Sequence, residues 1–315
     1  MTVDPRVAPL REALDRAVVG HDDAKQAILL AILCREHVYI EGPPGTAKTR
    51  MAEVASRASD LEFFFYQLHR DTRLPELVGD VVLERRQTED GGELIHQRTL
   101  PGGILTAEVC VLDDISRAPG EALNVLLQIL NERRFGEVSI PLLTAIATSN
   151  PASDEYYNEP LDPANLDRFA VQLRVASLLG GDDQESARSL IDRFVAGEVR
   201  EEHGTQAVCD RSTLDELYAE IGRAAVPESV KDALLELFRA LVVEHGCNET
   251  NSLLTDRSFL VKSIKLLRGA AVLAGRDHVT TADLGVMRWM TTFRIPEHVH
   301  AQLPELLGKI ARDRS

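Results

Sequence analysis

Apolar positions along the first half of the chain alternate between two patterns. Short apolar runs predict buried strands at HVYIEG (37–42), EFFFYQL (62–68), residues 108–112, LLTAIATSN (142–150) and DRFAVQLRV (167–175), the last with alternating faces. Between them, DDAKQAILLAILCRE (22–36), KTRMAEVASRAS (48–59) and GEALNVLLQILNERR (120–134) carry apolar residues at helical spacing and predict amphipathic helices. VVLERR and ELIHQR flank the polar segment QTEDGG, which predicts a β-hairpin. After SLLGGDDQES the strand signals stop, and the segments from residue 184 to residue 315 predict helices alone, with a hinge at Gly180–Gly181. Strands alternating with helices imply right-handed parallel crossovers and an open α/β sheet, whose ligands sit at the carboxyl ends of the strands. The expected division is an α/β domain over 1–179, with the hairpin inserted at about 80–98, and a helical domain over 180–315.

Two of the predicted strands end in chemistry. GPPGTAKT (Gly42, Pro43, Pro44, Gly45, Thr46, Ala47, Lys48, Thr49) follows a strand and opens a helix that continues with Arg50. This is the spacing of a phosphate-binding loop, except that Ala47 stands where the pattern before the lysine has glycine. Backbone N–H groups of such a loop point at phosphates, the lysine reaches the β- and γ-phosphates, and the Thr hydroxyl can ligate Mg²⁺. Ala47 is small and is expected to adopt a helical first-turn conformation. The run VCVLDDIS (109–116) delivers two acids at the end of its strand, of which Asp113 is suited to Mg²⁺ and Asp114 to polarising a water. The strand usually ends Asp-Glu in hydrolases of this kind, so Asp114 is one methylene short.

Two further positions are ambiguous on sequence alone. Asn150, in ATSNP, could bind a γ-phosphate or a lytic water, and equally could be a turn residue before Pro151. Arg168, in LDPANLDRF, could supply positive charge across a subunit edge or be a surface arginine.

Composition narrows the class without naming a partner. The 315 residues are 44% hydrophobic and 27% charged, as in ordinary globular proteins, and no run approaches the roughly 18 apolar residues of a membrane helix. The N-terminus has no signal-peptide core, and the four cysteines are scattered with no CxxC pair, so a reducing cytoplasm is expected. Cys34 and Cys110 lie in apolar runs and read as core residues. A net charge of −15, acidic in both halves, argues against nucleic acid as a partner. HVH (298–300) reads as a surface strand or loop.

Taken together and in order, GPPGTAKT, the acid-tipped strand running into DDISRAPGEALNVLLQILNERRF, TSNP and LDPANLDRF resemble an AAA+ ATPase of the MoxR family. Arg117, Ala118 and Pro119 match the family pattern after its acidic pair, while Ser116 replaces its asparagine. The resemblance covers residues 37–176 best. It extends more weakly to LLTDRSFLVKSIKLLRGAAVLAGRDHVTTADL (253–284), similar to the family's lid. It implies a parallel-sheet P-loop core with a hairpin insert and an all-α lid, binding ATP and Mg²⁺. Metal ligation falls to Thr49 and Asp113, and catalysis to Asp114. Asn150 becomes sensor 1, Arg168 an arginine finger and Arg257 sensor 2, reaching the nucleotide from above. Arg117 and the Arg133–Arg134 pair are implied as contacts between subunits. The implied assembly is a hexameric ring that remodels or activates a protein partner, commonly one with a von Willebrand factor A domain. The competing readings are a nucleic-acid-linked motor, a metal-chelatase motor subunit, and a nucleotide-gated scaffold with little turnover.

Overall fold

The computed structural model describes residues 3–87, 93–151, 161–178, 184–198, 206–254 and 256–313. Two helices, α1 (Ala8–Ala17) and α2 (Asp22–Cys34), precede the first strand, β1 (Val38–Glu41). They are followed by α3 (Lys48–Arg57), β2 (Phe63–Gln67), α4 (Leu74–Val78) and the antiparallel pair β3 (Val81–Gln87) and β4 (Glu93–Thr99). Next come β5 (Val109–Asp113), α5 (Gly120–Glu132), the small antiparallel pair β6 (Arg134–Phe135) and β7 (Val138–Ser139), β8 (Thr144–Ser149), α6 (Pro163–Leu166) and β9 (Val171–Arg174).

Five of the strands form one parallel sheet in the order β2-β5-β8-β1-β9. Its two faces are covered by separate apolar clusters. One joins α1, α2 and α3 to the C-terminal helices, and the other packs α5 against the opposite face. β5 and β8 are fully buried because they lie inside the sheet. β2 is only half-buried, not buried as its aromatic content suggested: it is one of the two edge strands, and the other, β9, is covered by α11 (Met287–Thr291). β9 also departs from expectation: Val171, Gln172 and Leu173 are all buried, without alternation. The Gln172 amide makes this tolerable, since it donates to the carbonyls of Leu166 (2.9 Å) and Phe169 (3.3 Å) and accepts from Phe293 N–H (3.2 Å).

The rest is helical, as the pattern predicted: α7 (Gln184–Val195), α8 (Arg211–Arg223), α9 (Glu228–Arg239), α10 (Asp256–Leu273), α11 (Met287–Thr291), α12 (Glu297–His300) and α13 (Leu303–Asp313). α10 packs against α2 and α8, which explains why α2 is buried nearly all round from Ala24 to Cys34. HVH proves to be part of α12, with Val299 buried, so the strand-or-loop expectation is corrected. The antiparallel pair β3–β4 matches the expected hairpin, whereas its tip and Gly180–Gly181 lie outside the described residues. Helix α1 and the β6–β7 pair have no counterpart in the sequence reading. Cys34 and Cys110 are buried and free.

One buried cation ties the helical region to the sheet. The Arg294 side chain is fully buried, and burial pushes its pKa down to about 10 against the opposing pull of Asp167. Its guanidinium donates to the carbonyls of Phe169 (2.9 Å), Ala170 (3.3 Å), Asp167 (3.4 Å) and Met290, and to the Asp167 carboxylate (3.4 Å). It therefore holds the turn that leads into β9. Arg294→Met is expected to leave these acceptors unpaired and to cost about 3–5 kcal/mol. Equilibrium denaturation of the two proteins, compared at equal m-value, measures this.

Candidate functional site

Parallel pairing brings the ends of four strands level. Gln67 lies opposite Asp113, and Glu41 opposite Ser149, so the segments that follow β1, β5 and β8 meet at one edge. The loop after β1 turns back into α3 under tight constraints. A Cβ on Gly42 would stand 2.4 Å from the Val175 carbonyl oxygen, so only glycine fits. Ala47 is not in a helical first turn. It caps α3 with φ +58°, in the left-handed region, which corrects the expectation and explains why glycine is the usual occupant.

Lys48 is buried, and its ammonium donates to the carbonyls of Gly42 (2.6 Å) and Pro43 (2.8 Å) and to Asn150 Oδ1 (3.2 Å). Burial lowers its pKa, while Asp114, Asp113 and Glu41 act in the opposite direction. Thr46 donates its hydroxyl to the Pro43 carbonyl (2.8 Å). Thr49 Oγ1 donates to Asp113 Oδ1 at 2.6 Å. Thr148 Oγ1 donates to the same oxygen at 2.5 Å and accepts from the Asp114 backbone N–H at 3.2 Å. Asn150 Nδ2 donates to Asp114 Oδ1 at 3.0 Å. Asn150 thus links the loop lysine to the second acid through the two ends of one amide.

Asp114 sits in the left-handed region at φ +54°, rare for a residue other than glycine, asparagine or aspartate. Burial raises its carboxyl pKa and Asp113 adds to this. Arg117, 3.6 Å away, works against it, as do Lys48 and a hydrogen bond from Gln67. Gln67, at the end of the edge strand, was not singled out by sequence. Only its register opposite Asp113 makes it part of the site.

The remaining arginines lie elsewhere. Arg168 is half-buried, and its Nε is buried without a hydrogen-bond partner among the described residues. It lies close enough to Lys262 to disfavour that ammonium, whose pKa is lowered mainly by burial and whose Nζ donates to the Asp167 carbonyl (3.1 Å). Arg257 is exposed at the start of α10, the helix that also carries Lys262. Among the described residues, no hydrogen bond or ion pair joins Arg168 or Arg257 to the phosphate loop. Arg133 is turned inward, donating to the carbonyls of Leu143 (3.1 Å) and Arg35, so its side chain is structural, unlike the expected contact between subunits. Arg134 donates to the Glu137 carbonyl (2.9 Å) within its own hairpin.

Beside the loop lies a cavity of about 360 Å³, lined among others by Val18, Val19, His21, Pro44, Leu178 and Leu190. The helices that border it are α1 and α7, and α10 contributes no lining residue among the described residues. Its apolar walls next to a phosphate loop suit a nucleoside, and sequence reading missed it because its lining comes from chain segments far apart. The oxygen donors Thr49 and Asp113, already in contact, suit a hard divalent cation such as Mg²⁺.

A parallel sheet in this strand order, a phosphate loop after β1, acids at the tip of β5 and a helical C-terminal region define a P-loop ATPase of the AAA+ class. Residues 6–217 match the model of the "MoxR domain in the MoxR-vWA-beta-propeller ternary systems", and the chain belongs to the MoxR family. It is similar to protein MoxR of Methylorubrum extorquens, at 27% identity over 98% of this chain and 88% of that protein. It is 30% identical to the chaperone MoxR1 of Mycobacterium tuberculosis over 57% of this chain, spanning only 45% of that protein. An uncharacterised Methanocaldococcus jannaschii protein is 26% identical over 89% of this chain and 69% of its own length. Among solved structures, a Cytophaga hutchinsonii protein described as a candidate ATPase superposes with a TM-score of 0.71 at 22% identity, over 98% and 93% of the two chains. That likeness bears on the fold. No helix among the described residues is long and apolar enough to cross a membrane.

The left-handed, partly buried Asp114 should cost stability. Below the ordinary carboxylate range both folded and unfolded chains hold the proton. As pH rises through that range the unfolded chain releases it first, so stability falls, and it stays lower once the folded group has also ionised. Asp114→Asn removes the charge and keeps a side chain that tolerates φ +54°. It is expected to raise stability at neutral pH by roughly 0.5–2 kcal/mol. The gain should shrink in mild acid, as measured by urea denaturation at both pH values.

Proposed function

We propose that the chain is a Mg²⁺-dependent ATP hydrolase that drives remodelling or activation of a protein partner. The observation that carries the reading is the continuous set of contacts Lys48–Asn150–Asp114, standing beside the Thr49–Asp113 pair at the carboxyl edge of the sheet. Thr49 and Asp113 would hold Mg²⁺, which when bound offsets charge on the β- and γ-phosphates. In this reading the loop from Gly42 to Arg50 binds the nucleotide. Lys48 exchanges its bonds to the Gly42 and Pro43 carbonyls for phosphate oxygens. Asp114 orients the attacking water, and its raised pKa makes it a better proton acceptor than an exposed aspartate. Asn150 keeps that carboxylate in line with Lys48. The missing methylene of Asp114 slows the chemistry without removing it, since a displacement of about 1 Å can cost on the order of 10²-fold.

The reading also makes the site a shared one. Arg168 follows Asp167, whose carbonyl Lys262 of α10 bonds, Arg257 opens that same helix, and neither bonds the phosphate loop among the described residues. We assign both to the nucleotide of a neighbouring subunit, in a closed homo-oligomeric ring of six. In this reading Arg257 keeps the sensor 2 role, and the cavity beside the loop of its own chain is lined by residues of α7. The MoxR–vWA systems named by the matching family model support a von Willebrand factor A protein as partner. The hairpin insert is the candidate segment for reporting the nucleotide state to it. The chain is read as a cytoplasmic protein with a core over 1–179 and a lid over 180–315.

Two experiments test the reading. Lys48→Ala is expected to remain folded and lose ATP binding; unchanged affinity in the folded variant would refute it. Arg168→Ala is expected to bind ATP while its turnover falls by roughly 10³–10⁵. Mixing the two variants should restore part of the activity, because some interfaces then pair an intact loop with an intact arginine. Absence of recovery in subunits shown to mix would place the arginine in its own chain's site.

A further inference from the structure

Thr148 and Thr144 stand on the same strand, both fully buried, yet their hydroxyls fare differently. The Thr144 hydroxyl has no hydrogen-bond partner among the described residues. That of Thr148 is used twice, donating to Asp113 Oδ1 at 2.5 Å and accepting from the Asp114 N–H at 3.2 Å. A buried strand accepts valine as readily as threonine, and a buried hydroxyl is costly unless bonded. The Thr148 hydroxyl is therefore explained by its contacts and not by the strand.

We propose that Thr148 is a positioning residue that fixes both acids of β5 relative to each other. This rests on the nucleotide-hydrolase reading above. Asp113 Oδ1 has two hydroxyl donors, Thr49 and Thr148. Thr49 is itself assigned to the metal, so Thr148 is the donor free to hold the carboxylate throughout. Its other bond pins the backbone of Asp114 at the left-handed φ from which that side chain reaches Asn150. One hydroxyl thus couples the metal ligand to the water-orienting acid. Sitting two positions before Asn150 on β8, it does so from the neighbouring strand, where the parallel register keeps the spacing rigid.

The test compares Thr148→Val, Thr148→Ser and the control Thr144→Val. The first readout is equilibrium binding of a fluorescent ATP analogue with and without Mg²⁺, which needs no turnover. Thr148→Val is expected to keep its Mg²⁺-free affinity within about twofold and to need about tenfold more Mg²⁺ for half-saturation. Its kcat should fall about 10- to 100-fold, with KM changing less than about threefold. Thr148→Ser should recover both quantities to within about threefold, and Thr144→Val should alter neither. If Thr148→Val does not fold, as judged by thermal melting, Thr148→Ala takes its place in the same comparison. A Thr148→Val protein with natural Mg²⁺ dependence and kcat overturns the proposal. So does a Thr148→Ser protein as impaired as Thr148→Val, since packing would then be the cause. If the natural chain binds no nucleotide, the hydrolase reading fails and takes the proposal with it. If it binds without turnover, the Mg²⁺ dependence alone decides.

Discussion

The parallel register of β5, β8 and β1 is the constraint on which the site depends. Each strand contributes a different kind of group at or just beyond its last paired residue: a phosphate loop after Glu41, two acids at Asp113 and Asp114, and an amide at Asn150. Parallel strands bonded in register cannot slide past one another without breaking the ladder, and in a buried sheet a one-residue slip would also turn apolar side chains to the wrong face. The distances from Asn150 to Lys48 and to Asp114 are therefore consequences of sheet geometry. The apolar clusters on both faces are what make that geometry stiff.

Two of the six non-glycine residues with positive φ among the described residues stand at the site. Ala47 and Asp114, left-handed and flanking the space between loop and acids, both occupy conformations that side chains disfavour. Asp114 adds the cost of a partly buried carboxylate next to Asp113. These costs are borne by the surrounding sheet, and they fit a site organised for a ligand better than a purely structural turn. The same logic separates the arginines. Arg294 satisfies its guanidinium on carbonyls within the chain and is structural, whereas the Arg168 side chain beside it keeps a buried nitrogen unpartnered.

Much of this was legible in the amino-acid sequence. Strands and helices follow from apolar periodicity, and the phosphate loop and the paired acids follow from residue types at fixed spacing within a few neighbours. Those features are local, so the chain order suffices. The errors were also physical. β2 looked buried because it is aromatic, but the burial of an edge strand depends on what packs over it, as α11 does over β9, and periodicity does not encode that. Arg133 looked like an outward arginine, and the left-handed end of α5 turns it inward.

What tertiary structure alone decided concerns groups far apart in sequence. Gln67 reaches Asp114 only because β2 pairs with β5, and Thr148 reaches both acids only because β8 pairs with β5. The cavity beside the loop draws its walls from α1, the segment before α2, the loop itself and α7. Arg257 was recognisable as the first basic residue of a helix, but where that helix lies depends on α10 packing against α2 and α8. Sequence fixes which groups are present because side-chain chemistry is carried by single residues. Which of them meet depends on strand order and helix docking, properties of the chain as a whole.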